Sequence, residues 1–284
     1  MTEIAELETI LRACAPLLVA YSGGVDSAYL AYAAQQAAPG QMLAVIADSP
    51  SLPRNALKDA VAFAEAHHIP CEVIHTGEMD DPNYRRNAPD RCYFCKDELF
   101  RRMEAELARR PEFRTLAYGV NADDKLEFRP GHRAAQEHGV RAPLREAGLD
   151  KAEIRRRAHE AGLEVWDRPA AACLASRVAY GIAVTPEVLA RIEQGEEALY
   201  ALGFQQVRVR FHREIVRIEI AREELLRALT LEMADALTAI FRKLGFRYVT
   251  LDLEGYRTGS LNQGPGAKGQ GPEVRGQGSG LAPR

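Results

Sequence analysis

The stretch PLLVAYSGGVDS, residues 16–27, joins an apolar run of strand length to a glycine-rich turn and the start of a helix. The uncharged run Pro16–Tyr21 has the composition of a strand buried on both faces, and helical spacing follows over residues 27–38. Between them the glycines let backbone N–H groups approach an anion, and the helix N-terminus adds partial positive charge. SGGVDS, Ser22 to Ser27, therefore reads as a phosphate cradle. It lacks the Gly-Lys-Ser/Thr ending of the common nucleoside-triphosphate loop, so removal of a terminal phosphate is not the expected chemistry. The plainer alternative is a strand-to-helix turn in which Ser22 caps the helix and Asp26 favours its first turn.

On either side of this stretch the chain repeats the pattern. An amphipathic helix over about residues 4–13 precedes it; MLAVIA (residues 42–47) ends in Asp48 and Ser49, a helix follows over residues 54–67, and CEVIH (residues 71–75) is the next run. TLAYGV (residues 115–120) ends in the polar NADD, Asn121 to Asp124. Short apolar strands alternating with helices predict an α/β fold, a parallel doubly wound sheet with ligands at the strands' carboxyl ends. After about Thr185 the pattern changes to a helix over 186–202, strands over 207–211 and 215–220, a helical stretch over 222–244 and a strand over 248–253. The expected organisation is a sheet domain over 1–184, a second, smaller α+β domain for substrate or oligomer contacts over 185–261, and a Gly/Pro/Gln-rich tail over 262–284 too polar to order itself.

Of the 284 residues 46% are apolar, enough for a main core and a smaller one, and the net charge of −3 gives no basic field that would advertise a nucleic-acid partner. RRRAH, Arg155 to His159, is a local basic cluster. No basic leader and no apolar run near the ~18 residues of a membrane span are evident, so a cytoplasmic protein with no membrane partner is expected. In that compartment five cysteines suggest metal binding or catalysis rather than disulfides. Cys92 and Cys95, in RCYFCKDELF (residues 91–100), start a helix. A zinc clip would need four ligands, yet Cys14 and Cys71 read as small buried residues; a redox dithiol would follow the first strand of its own βαβ unit, whereas this pair follows a Pro- and Asn-rich loop.

SGGVDS resembles the signature of the N-type ATP pyrophosphatases, which adenylate a substrate and release pyrophosphate. That resemblance implies ATP and Mg2+ as cofactors, with Ser22, Gly23, Gly24 and Ser27 on the pyrophosphate and Asp26 near the magnesium. WDRPAAACLASRVAYG (residues 166–181) further resembles the LarE-type sulfur transferases, as do ADSPSLPR (47–54), YGVNADD (118–124), RPG (129–131), VRVRFH (207–212) and LDLEGYRTGSLN (251–262). The resemblance spans about residues 15–262 and implies that the carboxylates of a pyridinium dicarboxylate mononucleotide are adenylated and thiolated for the nickel-pincer nucleotide of lactate racemase. It places Cys173 at the sulfur-delivering position and Asp48, Ser49, Gly119, Asn121, Asp123, Arg129, Ser176 and Arg177 among the binding residues. Family members surrender the sulfur of a single cysteine or, in a three-cysteine variant, use a cluster. The presence of Cys92 and Cys95 beside Cys173 resembles the latter, because three thiolates suffice to hold a 4Fe-4S cluster and leave one iron open for sulfide. The implied partners are the nucleotide substrate, sulfide or another sulfur donor, the other enzymes of the nickel-pincer pathway and further copies of the chain in a homo-oligomer.

Alternation in VRVRFH places Val207, Val209 and Phe211 on one face and Arg208, Arg210 and His212 on the other. The two arginines suit either a solvated ladder with neighbours around Arg217 and Glu219 or, as the resemblance implies, the phosphate of the substrate mononucleotide. Glu219 is a further candidate metal carboxylate, Glu196 and Glu197 read as a water-facing helix surface, and Trp166 as a packing anchor. Rival functions are a tRNA thiolase, which would need a basic RNA-binding surface, and a non-catalytic ATP sensor, which would need neither Asp26 nor the cysteine block.

Overall fold

The structure, a computed structural model, describes residues 3–124, 130–168 and 173–257, with side chains from residue 6. The candidate Arg129 and the tail over 262–284 lie outside these residues. In chain order, α1 (Glu3–Cys14) leads to β1 (Leu17–Tyr21), α2 (Val25–Ala37), β2 (Met42–Asp48), α3 (Arg54–Ala66), β3 (Cys71–His75) and α4 (Pro82–Arg85). Then come α5 (Arg91–Arg109), β4 (Thr115–Tyr118), α6 (Pro130–Glu137), α7 (Pro143–Glu146) and α8 (Lys151–Glu160). The chain continues through α9 (Pro186–Ala201), β5 (Val207–His212), β6 (Ile215–Ile220), α10 (Leu225–Ala228), α11 (Leu231–Lys243) and β7 (Tyr248–Leu251).

Every residue of β1 is buried, because β2 and β4 flank it in a parallel sheet of order β3-β2-β1-β4 and helices cover both faces. Its side chains alternate as a pleat requires. Leu17, Val19 and Tyr21 enter a core with α1, α2 and α8, whereas Leu18 and Ala20 enter one with Leu99, Phe100 and Met103 of α5 and Ala134 of α6. Strand order reverses between β1 and β4, so the crevice at their carboxyl ends is where such a sheet binds ligands.

The second sheet, β5-β6-β7, pairs β5 with β6 antiparallel and β6 with β7 parallel. Val207, Val209 and Phe211 turn into a core with Leu189, Ile192 and Leu199 of α9 and Phe241 of α11. That core extends back to Tyr84, Leu174, Ala175, Val178 and Val184. The helical stretch expected over 222–244 is broken, because the Thr230 side chain accepts from the Met233 N–H at 3.3 Å and so starts α11 afresh. Trp166 is not a buried anchor: it is 39% exposed, its ring 4.6 Å from that of His159. No helix among the described residues is long and apolar enough to cross a membrane.

One contact fixes the crevice. A Cβ on Gly119, just past β4, would lie 2.7 Å from the Ser27 nitrogen, 2.8 Å from its Cα and 3.0 Å from the Asp26 carbonyl carbon. All three are backbone atoms of the first turn of α2, which cannot yield as a side chain can. Gly119→Ala is therefore expected to cost about 1–3 kcal/mol in urea unfolding and to weaken nucleotide binding measured by calorimetry.

Candidate functional site

A cavity of about 250 Å³ opens at the carboxyl ends of β1, β2 and β4. Ser22, Gly24, Asp26 and Ser27 line it from the loop, Ser49 from the end of β2, Gly119 from the end of β4, Cys95 from α5, and Cys173. Gly23 has φ 73, and a Cβ there would come within 2.7 Å of Ala60 Cβ, so the turn is tightened against α3. The N-cap of α2 is Gly24, with no side chain to satisfy the first amides, and the capping role considered for Ser22 is not what it does. Instead the Ser22 N–H donates to Ser27 Oγ at 3.1 Å, and the Ser27 hydroxyl donates to the Gly24 carbonyl at 3.1 Å. The loop thus braces itself and leaves the helix start open to an anion.

Asp26 accepts from Lys151 Nζ at 2.6 Å through Oδ2, while its Oδ1 is buried with no hydrogen-bond partner. An orphaned carboxylate oxygen beside an anion cradle suits a magnesium ion that takes one protein carboxylate and completes its shell with phosphate and water. The other loop-end candidates are engaged elsewhere. Asp48 Oδ1 accepts from Arg54 at 2.5 Å, the Asn121 Oδ1 accepts from the Asp123 N–H at 3.0 Å, and Asp123 Oδ2 accepts from the Lys151 N–H at 2.9 Å.

Cys173 is placed by three partners. The Leu174 N–H donates to the Ser51 carbonyl at 2.8 Å, Arg177 Nη1 donates to the Cys173 carbonyl at 2.9 Å, and Arg210 Nη1 donates to the Ser176 carbonyl at 3.2 Å. Both arginines are buried and face carboxylates: Arg177 meets Glu196 at 3.0 and 3.1 Å, and Arg210 meets Glu219 at 3.0 and 2.9 Å. Glu196 is therefore a buried ion-pair partner rather than a water-facing acid, and Glu219, fully buried, also pairs with Arg217 at 3.1 Å. Arg208 lies over the Tyr256 ring, 4.9 Å from its centre.

Burial pushes the Cys95 thiol up to about 12, and the neighbouring Glu78 and Cys173 add to the effect. Cys92, two residues into α5, is exposed. Cys92 stands three residues before Cys95 on the same helix, and Cys95 and Cys173 line the same cavity. Among the described residues no group of three or more His, Cys, Asp or Glu side chains is gathered closely enough to hold a metal ion. A mononuclear zinc site needs all its ligands about 2.3 Å from one point. A four-iron cluster takes thiolates at separate corners, and Cys92, Cys95 and Cys173 offer that type of donor.

The cavity also holds residues that sequence reasoning missed: Ser51, Thr76, Glu78, Lys96 and Tyr118. Glu78 is 2% exposed, accepts from Ser51 Oγ at 3.3 Å through Oε1, and leaves Oε2 buried without a partner. Ser51 and Tyr118 lay inside the quoted blocks 47–54 and 118–124 and Lys96 directly after Cys95, whereas Thr76 and Glu78 carried no signal.

No protein-family model matches the chain. It is 32% identical over 262 residues, 92% of this chain and 94% of the relative, to the pyridinium-3,5-bisthiocarboxylic acid mononucleotide synthase of Lactiplantibacillus plantarum. The chain belongs to the LarE-type sulfur transferase family. Two further relatives are uncharacterized proteins: one of Synechocystis sp., 43% identical over 246 residues (87% of this chain, 91% of the relative), and one of Methanocaldococcus jannaschii, 28% identical over 242 residues (85% and 91%).

For this LarE-type chain the thiol environments predict an order of reactivity. Burial raises Cys14, takes Cys71 to about 11 and Cys95 to about 12, so these three stay protonated at neutral pH. With iodoacetamide at pH 7.5 and peptide mapping by mass spectrometry, the metal-free protein should label Cys92 on the order of tenfold or more faster than Cys95 or Cys14.

Proposed function

We propose that this sulfur transferase adenylates the carboxylates of a pyridinium-3,5-dicarboxylate mononucleotide with ATP and replaces carboxylate oxygen with sulfur, in the biosynthesis of the nickel-pincer nucleotide. The observation that carries the reading is one cavity in which an uncapped anion loop, a carboxylate with a free oxygen and two thiols face the same space. The activity that names the L. plantarum relative, synthesis of a bisthiocarboxylic acid mononucleotide, supports the substrate.

A carboxylate resists attack because its oxygen is a poor leaving group. Transfer of AMP to that oxygen provides a good one, and the first amides of α2 with Ser22 and Ser27 stabilise the pyrophosphate as it departs. Magnesium on Asp26 would offset the phosphate charge there, and Lys151, displaced from Oδ2, stays within reach of the same anions. Cys173 is held at the mouth of the loop by Ser51 and Arg177, so sulfur is delivered where the adenylate forms. Cys92, Cys95 and Cys173 would hold a 4Fe-4S cluster, which when bound supplies an open iron for sulfide. Arg208, with Arg210 behind it on Glu219, is the proposed support for the substrate's phosphate.

The tRNA thiolase reading loses ground at the basic cluster. Arg156 pairs with Glu153 and Glu160, Arg157 with Glu153, and Arg155 donates to the Trp166 and Arg168 carbonyls. Those guanidiniums serve the fold and present no open phosphate-binding stripe.

With ATP, magnesium and the dicarboxylate nucleotide, the protein should release AMP and pyrophosphate, and Cys173→Ala should still release pyrophosphate, with AMP freed only as water hydrolyses the adenylate, but yield no thiocarboxylate. Absence of AMP from the wild type would remove the proposal. Iron and acid-labile sulfide are expected after anaerobic purification, with an unchanged protein mass after turnover. A loss of about 34 Da at Cys173 would instead identify a sacrificed cysteine and overturn the cluster.

A further inference from the structure

Beyond the phosphate loop, the far wall of the cavity sets hydroxyls around one acid. Ser49 and Ser51 come from just past β2, Thr76 and Glu78 from just past β3, and all four line the same space. The Gly77 N–H donates to Glu98 Oε1 at 2.9 Å, so α5 fixes the turn that brings Glu78 to the cavity wall. The Ser49 and Ser51 hydroxyls share a hydrogen bond of 2.8 Å, and Ser51 Oγ donates to Glu78 Oε1 at 3.3 Å. Glu78 is nevertheless left short of partners: it is buried, no ion pair reaches it among the described residues, and its Oε2 has no donor. A buried carboxylate oxygen without a donor is costly, so a guest of this cavity is expected to bring one.

Charge and position select the donor. A phosphate is repelled by the acid and belongs at the open start of α2, which follows β1. In the order β3-β2-β1-β4, β3 stands two strand spacings, about 10 Å, from β1, so Glu78 meets a part of the guest beyond its phosphates. In a doubly wound sheet whose first loop holds phosphates, the acid at the end of a neighbouring strand takes a ribose hydroxyl. Asp48, at the end of β2, is not open for that role, because its Oδ1 accepts from Arg54 at 2.5 Å and its Oδ2 stands 3.6 Å from His75. Glu78 is the acid with an oxygen to offer. The hydroxyls of Ser49, Ser51 and Thr76 beside it can both donate and accept, as the two hydroxyls of a ribose require.

We propose that Glu78 Oε2 accepts a hydrogen bond from a ribose hydroxyl of a nucleotide bound in this cavity, and that this bond makes the cavity select ribonucleotides over deoxyribonucleotides. The inference rests on the sulfur-transfer reading for the identity of the nucleotides. The geometry favours ATP, whose phosphates take the loop, while the pyridinium mononucleotide carries the same diol.

The experiment is calorimetric titration of the full-length protein, with magnesium, against ATP, 2′-deoxy-ATP and 3′-deoxy-ATP. A second series uses pyridinium-3,5-dicarboxylate mononucleotide and its 2′-deoxy and 3′-deoxy forms. Removal of a hydroxyl bonded to a carboxylate should weaken binding roughly ten- to a hundredfold relative to the parent nucleotide. A loss in the first series assigns Glu78 to the ribose of ATP, and a loss in the second assigns it to the mononucleotide. In Glu78→Ala the ratio of deoxy to parent Kd should fall to about one, and Glu78→Gln, which keeps a neutral acceptor, should fall between. A residue that only held Ser51, or one satisfied by a buried water, would leave that ratio the same in the variants as in the wild type. An unchanged ratio overturns the proposal, as does a wild type that binds every deoxy form as tightly as its parent. Should Glu78→Ala fail to fold, the isosteric Glu78→Gln decides alone. Selection for ribose by a protein that never releases AMP leaves the proposal standing and removes adenylation; AMP release with a wild-type ratio of about one does the reverse.

Discussion

Backbone meets backbone where the end of β4 touches the first turn of α2, and Gly119 is what lets them meet. That contact sets how far the helix start stands from the sheet, and hence where its amides, Ser27 and Asp26 face. The fully buried β1 between β2 and β4 supplies the rigid floor. A cradle built this way needs no large side chains of its own. Its precision comes from glycine at the two tight points, Gly23 against Ala60 and Gly119 against Ser27.

The second core packs back onto Tyr84 and Phe94, and the short turn Leu174–Arg177 joins it to this site. Ser51 holds that turn from the first sheet, and Arg177 and Arg210 hold it from the side of the second, each with a buried glutamate behind it. Buried ion pairs add little net stability compared with apolar packing, but they are unforgiving of displacement. Here they fix the height of Cys173 over the cavity to within a hydrogen bond's tolerance. The second sheet and α9 therefore frame the segment that carries Cys173.

The apolar runs at 17–21, 42–48 and 115–118 were legible because a strand covered on both faces tolerates little but apolar residues, 71–75 is a half-exposed edge strand, and the parallel sheet follows from their alternation with helices. SGGVDS and the block around Cys173 were legible as strings, and Cys95 as half of a spaced pair. Contacts made across long separations were not. Lys151 reaches Asp26 over 125 positions, and Ser51 meets Glu78 over 27. Alternation in VRVRFH told which face Arg210 takes and offered a ladder with the neighbours around Glu219, but as a solvated one, not the buried pair that forms. The same limit hid Glu196, which looked like a water-facing residue on a long helix and lies buried against Arg177. It hid the role of Thr230 too, since a cap inside a helical composition shows only when the chain's direction changes there.

The bond between Lys151 and Asp26 has a thermodynamic consequence. As it stands, the acid of the loop is neutralised by an ammonium brought from α8. Any cation that takes over the carboxylate releases that ammonium to an anion in the same space, and any anion that draws the ammonium away leaves the carboxylate vacant for a cation. The two guests are therefore linked through one shared proton donor, each strengthening the other's hold by the same factor.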